Sequence, residues 1–244
     1  LRAASYLKKT DRKELLAEAW FETAKIYFNT QAYERALDYF LLSDSVHPES
    51  EKNYAYRKKM HNYIGDSWFA LGKTDKASLQ FQMLRSVAEE NKDTAAVIQS
   101  FRKQIKIASK TNDPEEAIRL YDQLYDICKS KKMHADMALI MNNKGYLYVK
   151  EKKYTAALIA FKTAETEASK IDENSGLRAD ALWNIGILHQ NNGQFEESVQ
   201  ELLRAREICD HNKDHKKLAQ INNLIALIYY QENDLYNATE YSLE

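Results

Sequence analysis

A small residue recurs along this chain at a nearly constant interval, and that period constrains the fold more than any other feature. It stands at Ala36, Ala77, Ala117, Ala157, Ser198 and Ala238, at intervals of 41, 40, 40, 41 and 40 residues. A second small residue precedes it by twelve positions at Ala24, Gly65, Gly145, Gly186 and Ala226, whereas Ile105 takes that place in the third unit. Self-similarity at a period of roughly 20–50 residues is the signature of a repeat architecture.

The composition indicates that these repeats are helical. The 244 residues include only 6 Gly and 2 Pro, the two residues that most disfavour a helix. The 35 basic and 36 acidic residues nearly cancel, so no overall field points to nucleic acid or to an anionic membrane. The sequence also lacks an apolar run long enough to span a bilayer.

Polar segments at 91–93, 130–132, 172–176 and 211–214 separate the units, and shorter turns at 72–73, 112–114, 192–193 and 233–234 divide them. Asp113 followed by Pro114 predicts a helix start, with the carboxylate as cap. We expect a single domain over 1–244, a fragment of a longer protein, with an incomplete unit at each end. Its predicted units cover roughly residues 1–12 (partial), 13–50, 51–92, 93–132, 133–173, 174–213 and 214–244 (truncated).

The first complete unit carries the fullest set of marks, namely Trp20, Ala24, Tyr27, Ala36, Phe40 and Pro48. This pattern resembles the tetratricopeptide repeat, in a long-unit subtype of about 40 residues where about 34 is usual. The resemblance implies an all-α fold, a right-handed α-α superhelix (solenoid) of about six helical hairpins. We expect the small residues to allow close backbone approach within a hairpin, and aromatic residues such as Phe81 and Phe161 to fill the gaps between hairpins.

The resemblance also implies that the first helices of successive hairpins line a concave groove that holds a peptide or a single helix. Helical spacing around each small residue predicts which side chains face this groove. They are Asn62, Tyr63, Asp66, Arg102, Lys103, Lys106, Lys110, Asn142, Asn143, Tyr146, Trp183, Asn184, Gln190 and Asn223.

An asparagine two or three residues before the small residue recurs among these positions. A side-chain amide can both donate to and accept from a ligand's peptide unit, so such a ladder could hold an extended chain. The alternative is that asparagine is tolerated on an exposed face or belongs to the repeat's consensus. We expect Tyr63, Tyr146 and Trp183 to be open anchors for apolar ligand side chains.

A basic row on the third unit is formed by Arg102, Lys103, Lys106 and Lys110, in which spacings of three and four place Arg102 or Lys103 with Lys106 and Lys110 along one helix face. It could bind an acidic segment of a partner. A solvated charged face is the equally supported alternative.

The sequence favours a binding protein over an enzyme, and no cofactor or metal is expected. His211 and His215 have a spacing that could bind a metal on a helix, but a polar linker is more typical of solvated surface. Cys128 and Cys209 lie 81 residues apart at equivalent positions two units away from each other, too far for a disulfide, and are interpreted as packing residues.

The predicted function is therefore a protein–protein interaction scaffold for a protein or peptide ligand, as the sensing or docking part of a larger regulatory protein. Neither direct nucleic-acid binding nor a membrane span in this fragment is expected. The alternatives are a regulator of a phosphotransfer or transcription partner, as in bacterial regulators with similar arrays, and a purely structural spacer. Self-association through the ends is a further expectation; the compartment stays open, with the cytoplasm favoured over the periplasm.

Overall fold

The computed structural model describes residues 13–47 and 53–243, and the regular structure in these ranges is entirely helical. The predicted partial unit at residues 1–12 and the closing Pro48 lie outside the described residues. The helices are α1 (Lys13–Asn29), α2 (Tyr33–Val46), α3 (Tyr54–Ala70), α4 (Thr74–Glu90), α5 (Thr94–Lys110), α6 (Pro114–Ser130), α7 (His134–Lys150), α8 (Tyr154–Ser169), α9 (Gly176–Asn191), α10 (Phe195–His211), α11 (His215–Gln231) and α12 (Leu235–Leu243).

The chain forms two compact units, with the boundary inside α6: unit 1 is Leu1–Leu120 and unit 2 is Tyr121–Glu244. In unit 1, α1 packs on α2 and α3 on α4, and the contacts α2–α3 and α4–α5 join successive hairpins. In unit 2, the hairpins are α7–α8, α9–α10 and α11–α12, joined through α8–α9 and α10–α11. We call the odd-numbered helices the first helices and the even-numbered helices the second helices. The first helices α7 and α9 also contact each other.

Most helices end in the same hydrogen-bonded turn. At the end of α3, the Gly72 N–H donates to the Phe69 carbonyl and the Lys73 N–H to the Trp68 carbonyl, the two bonds of a Schellman motif. Gly72 has a φ of 74°, in the left-handed region. Lysine occupies the same position at Lys92, Lys132, Lys152 and Lys213, with φ between 55° and 57°. The predicted turns at 72–73, 112–114, 192–193 and 233–234 are confirmed, and the motif also forms where the sequence lacks glycine.

Aspartate and asparagine caps begin several helices. The Glu116 N–H donates to Asp113 Oδ1 at 3.0 Å, which confirms the predicted start of α6. The Ala96 and Lys217 N–H groups donate in the same way to Asp93 and Asp214. Each cap satisfies a backbone donor that the first turn of a helix leaves without a partner.

The recurring small residues make room for a side chain of the second helix. A Cβ placed on Gly145 would lie 2.4 Å from Cε1 of Phe161, and one on Gly65 would lie 2.4 Å from Cε1 of Phe81. At Gly186 the neighbour is Leu202, which replaces the ring. At Gly65 and Gly145 a ring of the same hairpin fills the space, whereas at Gly186 the backbone oxygen of Ser198 also lies 3.3 Å from the added Cβ, so the expected close backbone approach is found there. The rings therefore pack within their own hairpin and not only between neighbouring hairpins.

The same side chains form the core. Phe40, Phe81 and Phe161 are fully buried, and Phe81 packs with Leu84 and with Ile107 of the next hairpin. Cys128 and Cys209 are buried thiols, which confirms their interpretation as packing residues.

Asp93 links two hairpins of unit 1. It caps α5, accepts a hydrogen bond from the Tyr54 hydroxyl at 2.5 Å and pairs with the Lys58 ammonium at 2.9 Å. The hydrogen bond from Tyr54, the backbone bond from Ala96 and the bond from Lys58 lower the pKa of Asp93 to about 2. The folded state therefore favours the charged form of the Asp93 side chain over the protonated form.

We predict that Gly145→Ala destabilises the protein by about 1–3 kcal/mol, the usual cost of forcing an extra carbon into a packed core. The added Cβ would overlap the Phe161 ring. Urea denaturation followed by circular dichroism measures the change. Gly176→Ala is the matched control, because nothing lies within 4 Å of its added Cβ; an equal loss in both variants would contradict the prediction.

We also predict an acid-dependent loss of stability that originates at Asp93. A carboxylate whose pKa is lowered on folding contributes stability above its unfolded pKa of about 4, and this contribution is lost as the pH falls towards about 2. The free energy of unfolding, measured from pH 6 down to about pH 2, should fall less steeply in Asp93→Asn than in the parent. Identical pH profiles of parent and variant would refute the assignment.

Candidate functional site

A groove of about 650 Å³ lies in unit 2 along the first helices α7, α9 and α11. Apolar side chains form much of its lining, and amide side chains and one ion pair complete it. The lining residues are Tyr146, Asp180, Trp183, Ile187, Gln190, Lys217, Gln220, Asn223, Leu224 and Leu227.

Helical periodicity positions these side chains. Asp180, Trp183, Ile187 and Gln190 follow each other on α9 at spacings of three or four, and the α11 residues repeat this pattern. Such spacings place side chains on one face of a helix. The groove is thus built from matching faces of neighbouring first helices.

The two charged residues of the groove neutralise each other. The Lys217 ammonium donates a hydrogen bond to Asp180 Oδ1, which links α11 to α9. Burial alone would lower the pKa of Lys217, but the hydrogen bond and the charge of Asp180 raise it overall. The remaining lining residues carry no charge, so the groove has no net charge.

Large apolar side chains remain open in this groove. Tyr146 is 52% exposed and Leu227 is 47% exposed, while Trp183 and Ile187 are half-buried. Tyr146, Ile187 and Leu227 each follow the small residue of their helix by one position. The predicted anchors Tyr146 and Trp183 therefore lie in one groove, together with the predicted Gln190 and the exposed Asn223.

The predicted amide ladder needs a correction at Asn184. This residue is only 3% exposed. Its Nδ2 donates to Asn142 Oδ1 at 2.8 Å, and its Oδ1 accepts from the Tyr146 hydroxyl at 2.6 Å. Asn184 therefore links α9 to α7 and orients Tyr146, and it does not offer an open amide to a ligand. Asn143 is half-buried.

The predicted site residues of unit 1 are largely occupied by internal contacts. The Lys103 ammonium pairs with Asp66 at 2.5 Å, and Asn62 accepts a hydrogen bond from Gln99. Tyr63 is half-buried and packs against Phe28 and Phe40, whose ring centroids lie 5.2 and 5.3 Å from its own. The aromatic first hairpin surrounds this ring because its own residues supply three phenylalanines.

The rest of the basic row lies beside a ring. Lys106 and Lys110 place their ammonium groups 5.1 and 4.5 Å from the centroid of Phe69, and Arg102 is exposed. Such cation–π contacts are worth about 0.5–1 kcal/mol at exposed sites. Of the row, Lys103 is paired with Asp66, whereas Arg102, Lys106 and Lys110 are exposed.

Sequence reasoning did not assign Lys217, Gln220 and Leu224 to the groove. It considered only positions close to each small residue, and these residues lie up to nine positions before Ala226. Continuing the spacing of three and four backwards from Leu227 would have identified them.

None of the helices in the described ranges combines the length and apolar character needed to cross a membrane. Within the same ranges, no three His, Cys, Asp or Glu side chains gather as a possible metal site. His211 and His215 are both exposed.

Known proteins share both the repeat and the fold. Residues 138–170 and 179–212, which lie on α7–α8 and α9–α10, match the tetratricopeptide repeat family model. The chain is similar to the protein O-mannosyl-transferase TMTC3 of Homo sapiens, with 27% identity over 217 residues. This match covers 86% of the chain but only 22% of that protein.

Two solved structures show the same architecture. BtubC from P. vanneervenii is 16% identical with a TM-score of 0.64, and the match covers 95% of this chain and 87% of that one. The signal transduction ATPase PH0952 from Pyrococcus horikoshii, described as having a tetratricopeptide repeat sensor, is 14% identical with a TM-score of 0.65 over 93% of this chain and 35% of that one. At these identities the likeness concerns the fold. The chain is thus an all-α helical repeat solenoid, and two of its repeats, residues 138–170 and 179–212, match the tetratricopeptide repeat family.

Proposed function

We propose that this chain is a protein–protein interaction scaffold that holds a peptide or helical segment of a partner in the groove of unit 2. The observation that carries the proposal is a set of apolar side chains in one groove, of which Tyr146 and Leu227 are exposed and Trp183 and Ile187 are half-buried. Concave sites lined by apolar and aromatic side chains with a few polar groups are the usual form of a binding site.

Both polar and apolar features of the groove suit a polypeptide. Trp183 and Tyr146 are of the residue types that most often dominate binding energy at interfaces. Gln190, Gln220 and Asn223 can each donate and accept hydrogen bonds, which matches a peptide backbone. The paired Asp180 and Lys217 leave no net charge to attract nucleic acid or a phosphate.

The proposal also includes a more specific role, in which the chain is the sensing or docking part of a larger regulatory protein. It is supported by the description of the Pyrococcus horikoshii protein as a signal transduction ATPase with a tetratricopeptide repeat sensor. That support comes from a likeness of fold, and a regulator of a phosphotransfer or transcription partner is the alternative, supported in the same way by the fold of aspartyl phosphate phosphatase F from Bacillus subtilis. Self-association is a separate prediction, supported by the exposed Tyr236 and Leu243 of α12.

We predict that Leu227→Arg weakens binding of peptides selected by display against the parent chain by at least about tenfold. A guanidinium in an apolar contact must lose hydration without gaining a partner. Fluorescence anisotropy of a labelled peptide measures the affinity. Because Leu227 is 47% exposed, the substitution should leave the thermal melting curve unchanged.

Ile159→Arg provides the matched control. Ile159 is 62% exposed on the second helix α8 and does not line the groove, so its replacement adds the same charge elsewhere on unit 2. Peptides that lose affinity equally in both variants, or in neither, would show that the groove is not the binding site.

We further predict that peptide affinity changes by less than about threefold between roughly 50 and 500 mM salt. Salt screens interactions between exposed charges, and the groove contributes none that is unpaired. Titrations at several salt concentrations test this. A steep fall in affinity, removed by a Lys106→Ala and Lys110→Ala double variant, would place the binding on the basic row in unit 1 instead.

A further inference from the structure

The groove of unit 2 repeats one apolar side chain per first helix. Tyr146, Ile187 and Leu227 stand one position after Gly145, Gly186 and Ala226, on α7, α9 and α11 respectively. All three line the same groove. A ligand that contacts them all must therefore present apolar groups at the spacing of the helices.

This spacing follows from helix packing. The helices α7 and α9 are in contact, and direct side-chain bonds link Asn184 to Asn142 and Lys217 to Asp180 across the successive first helices. The axes of packed helices lie about 8–10 Å apart. This sets the distance between Tyr146 and Ile187, and the 40-residue repeat implies a similar one between Ile187 and Leu227, so the apolar groups of a matching ligand should recur at about that distance.

The spacing of side chains on one face can be compared with that distance for three regular backbone conformations. In a β-strand, side chains on one face recur every two residues, at about 7 Å, which is too short. In a polyproline II helix, they recur every three residues, at about 9 Å. In an α-helix, they recur every seven residues, at about 10–11 Å. The spacing therefore allows the last two.

The amide side chains of the groove decide between these two. Gln190, Gln220 and Asn223 line the groove, and their side chains make no hydrogen bond to the described part of the chain. An α-helix satisfies its own backbone groups, whereas a polyproline II segment leaves its N–H and C=O groups open for bonding. Amides that carry both a donor and an acceptor complement such a backbone.

The absence of net charge in the groove adds a second restriction. Since Asp180 and Lys217 are paired, the lining offers no unpaired charge to balance a charged ligand residue. A charged side chain placed in the groove would lose hydration without compensation. The residues that enter the groove should therefore be apolar or neutral.

We propose that the partner segment held in this groove is an uncharged polyproline II stretch with an apolar side chain at every third position. The inference rests on the proposed function, since it specifies the ligand of the same groove. Each apolar side chain meets one member of the row Tyr146, Ile187 and Leu227, and the intervening backbone bonds with Gln190, Gln220 and Asn223.

Three synthetic peptides test the proposal on the full chain by isothermal titration calorimetry. The first, of about ten residues, repeats Pro-Gln-Leu, so that leucine recurs every third residue in a polyproline II background. The second has the same composition with leucine at every second position. The third is an uncharged Ala- and Gln-rich helix of about 20 residues with leucines at i, i+7 and i+14.

We expect the first peptide to bind at least about tenfold more tightly than the other two. A Gln190→Ala and Asn223→Ala double variant should lose much of this affinity, about three- to thirtyfold, because each lost hydrogen bond weakens binding modestly. Gln200→Ala, an exposed amide on the second helix α10, should have no effect. Methylation of the peptide's non-proline backbone nitrogens should cause a similar loss. It removes the N–H groups that would donate to the side-chain amide oxygens of the groove.

Tighter binding of the helical or period-two peptide would overturn the polyproline II assignment, as would equal binding of the N-methylated peptide. If none of the three peptides binds at about 1 mM while display-selected peptides still require Leu227, this inference fails and the groove remains a binding site. If the display-selected peptides are also insensitive to Leu227→Arg, the proposed function fails as well.

Discussion

The contact on which much of this structure depends is the one, seen in three hairpins, between a glycine of the first helix and a large apolar side chain of the following second helix. Gly65 meets Phe81, Gly145 meets Phe161, and Gly186 meets Leu202. A ring, or in the last pair a leucine side chain, enters the space that a Cβ would occupy, so each pair fixes both the separation and the register of its hairpin. Because a single hairpin cannot bury its whole apolar face, the contact also commits each hairpin to stacking on the next.

This contact determines what the opposite face of the first helices can do. Successive residues of an α-helix lie about 100° apart, so the residue after a glycine that faces the partner helix lies at the side of that contact, where Tyr146 still meets the edge of the Phe161 ring at 5.6 Å between centroids. Tyr146 after Gly145 and Ile187 after Gly186 are therefore turned towards the groove. The core contact and the proposed ligand contact are neighbours in sequence, and the repeat that spaces the glycines also spaces the groove residues.

The two units use the corresponding positions differently. In unit 1 these positions carry charged and aromatic side chains: Lys103 pairs with Asp66, and two lysine ammonium groups lie over the Phe69 ring. In unit 2 they hold open apolar and amide side chains, with Asp180 and Lys217 paired. Asn184 and Asn222 show that an amide at a predicted or neighbouring position can be buried, at 3% and 2% exposure. The location of an asparagine on a helix thus does not reveal whether its hydrogen bonds are available to a ligand.

The sequence by itself determined the helical hairpins, their period and most of their ends, because small residues, caps and turn residues act through their immediate neighbours. Asp113 before Pro114 and the turn at Gly72 are examples in which local chemistry suffices. It also indicated Tyr146, Trp183 and Gln190 as residues of one face, since helical spacing is a local property. Only the tertiary structure decided that Tyr63 is enclosed by phenylalanines, that Asn184 is bonded internally and that Lys217 reaches Asp180. These outcomes depend on residues 23 to 42 positions apart in the chain, whose side chains meet only after the helices have packed.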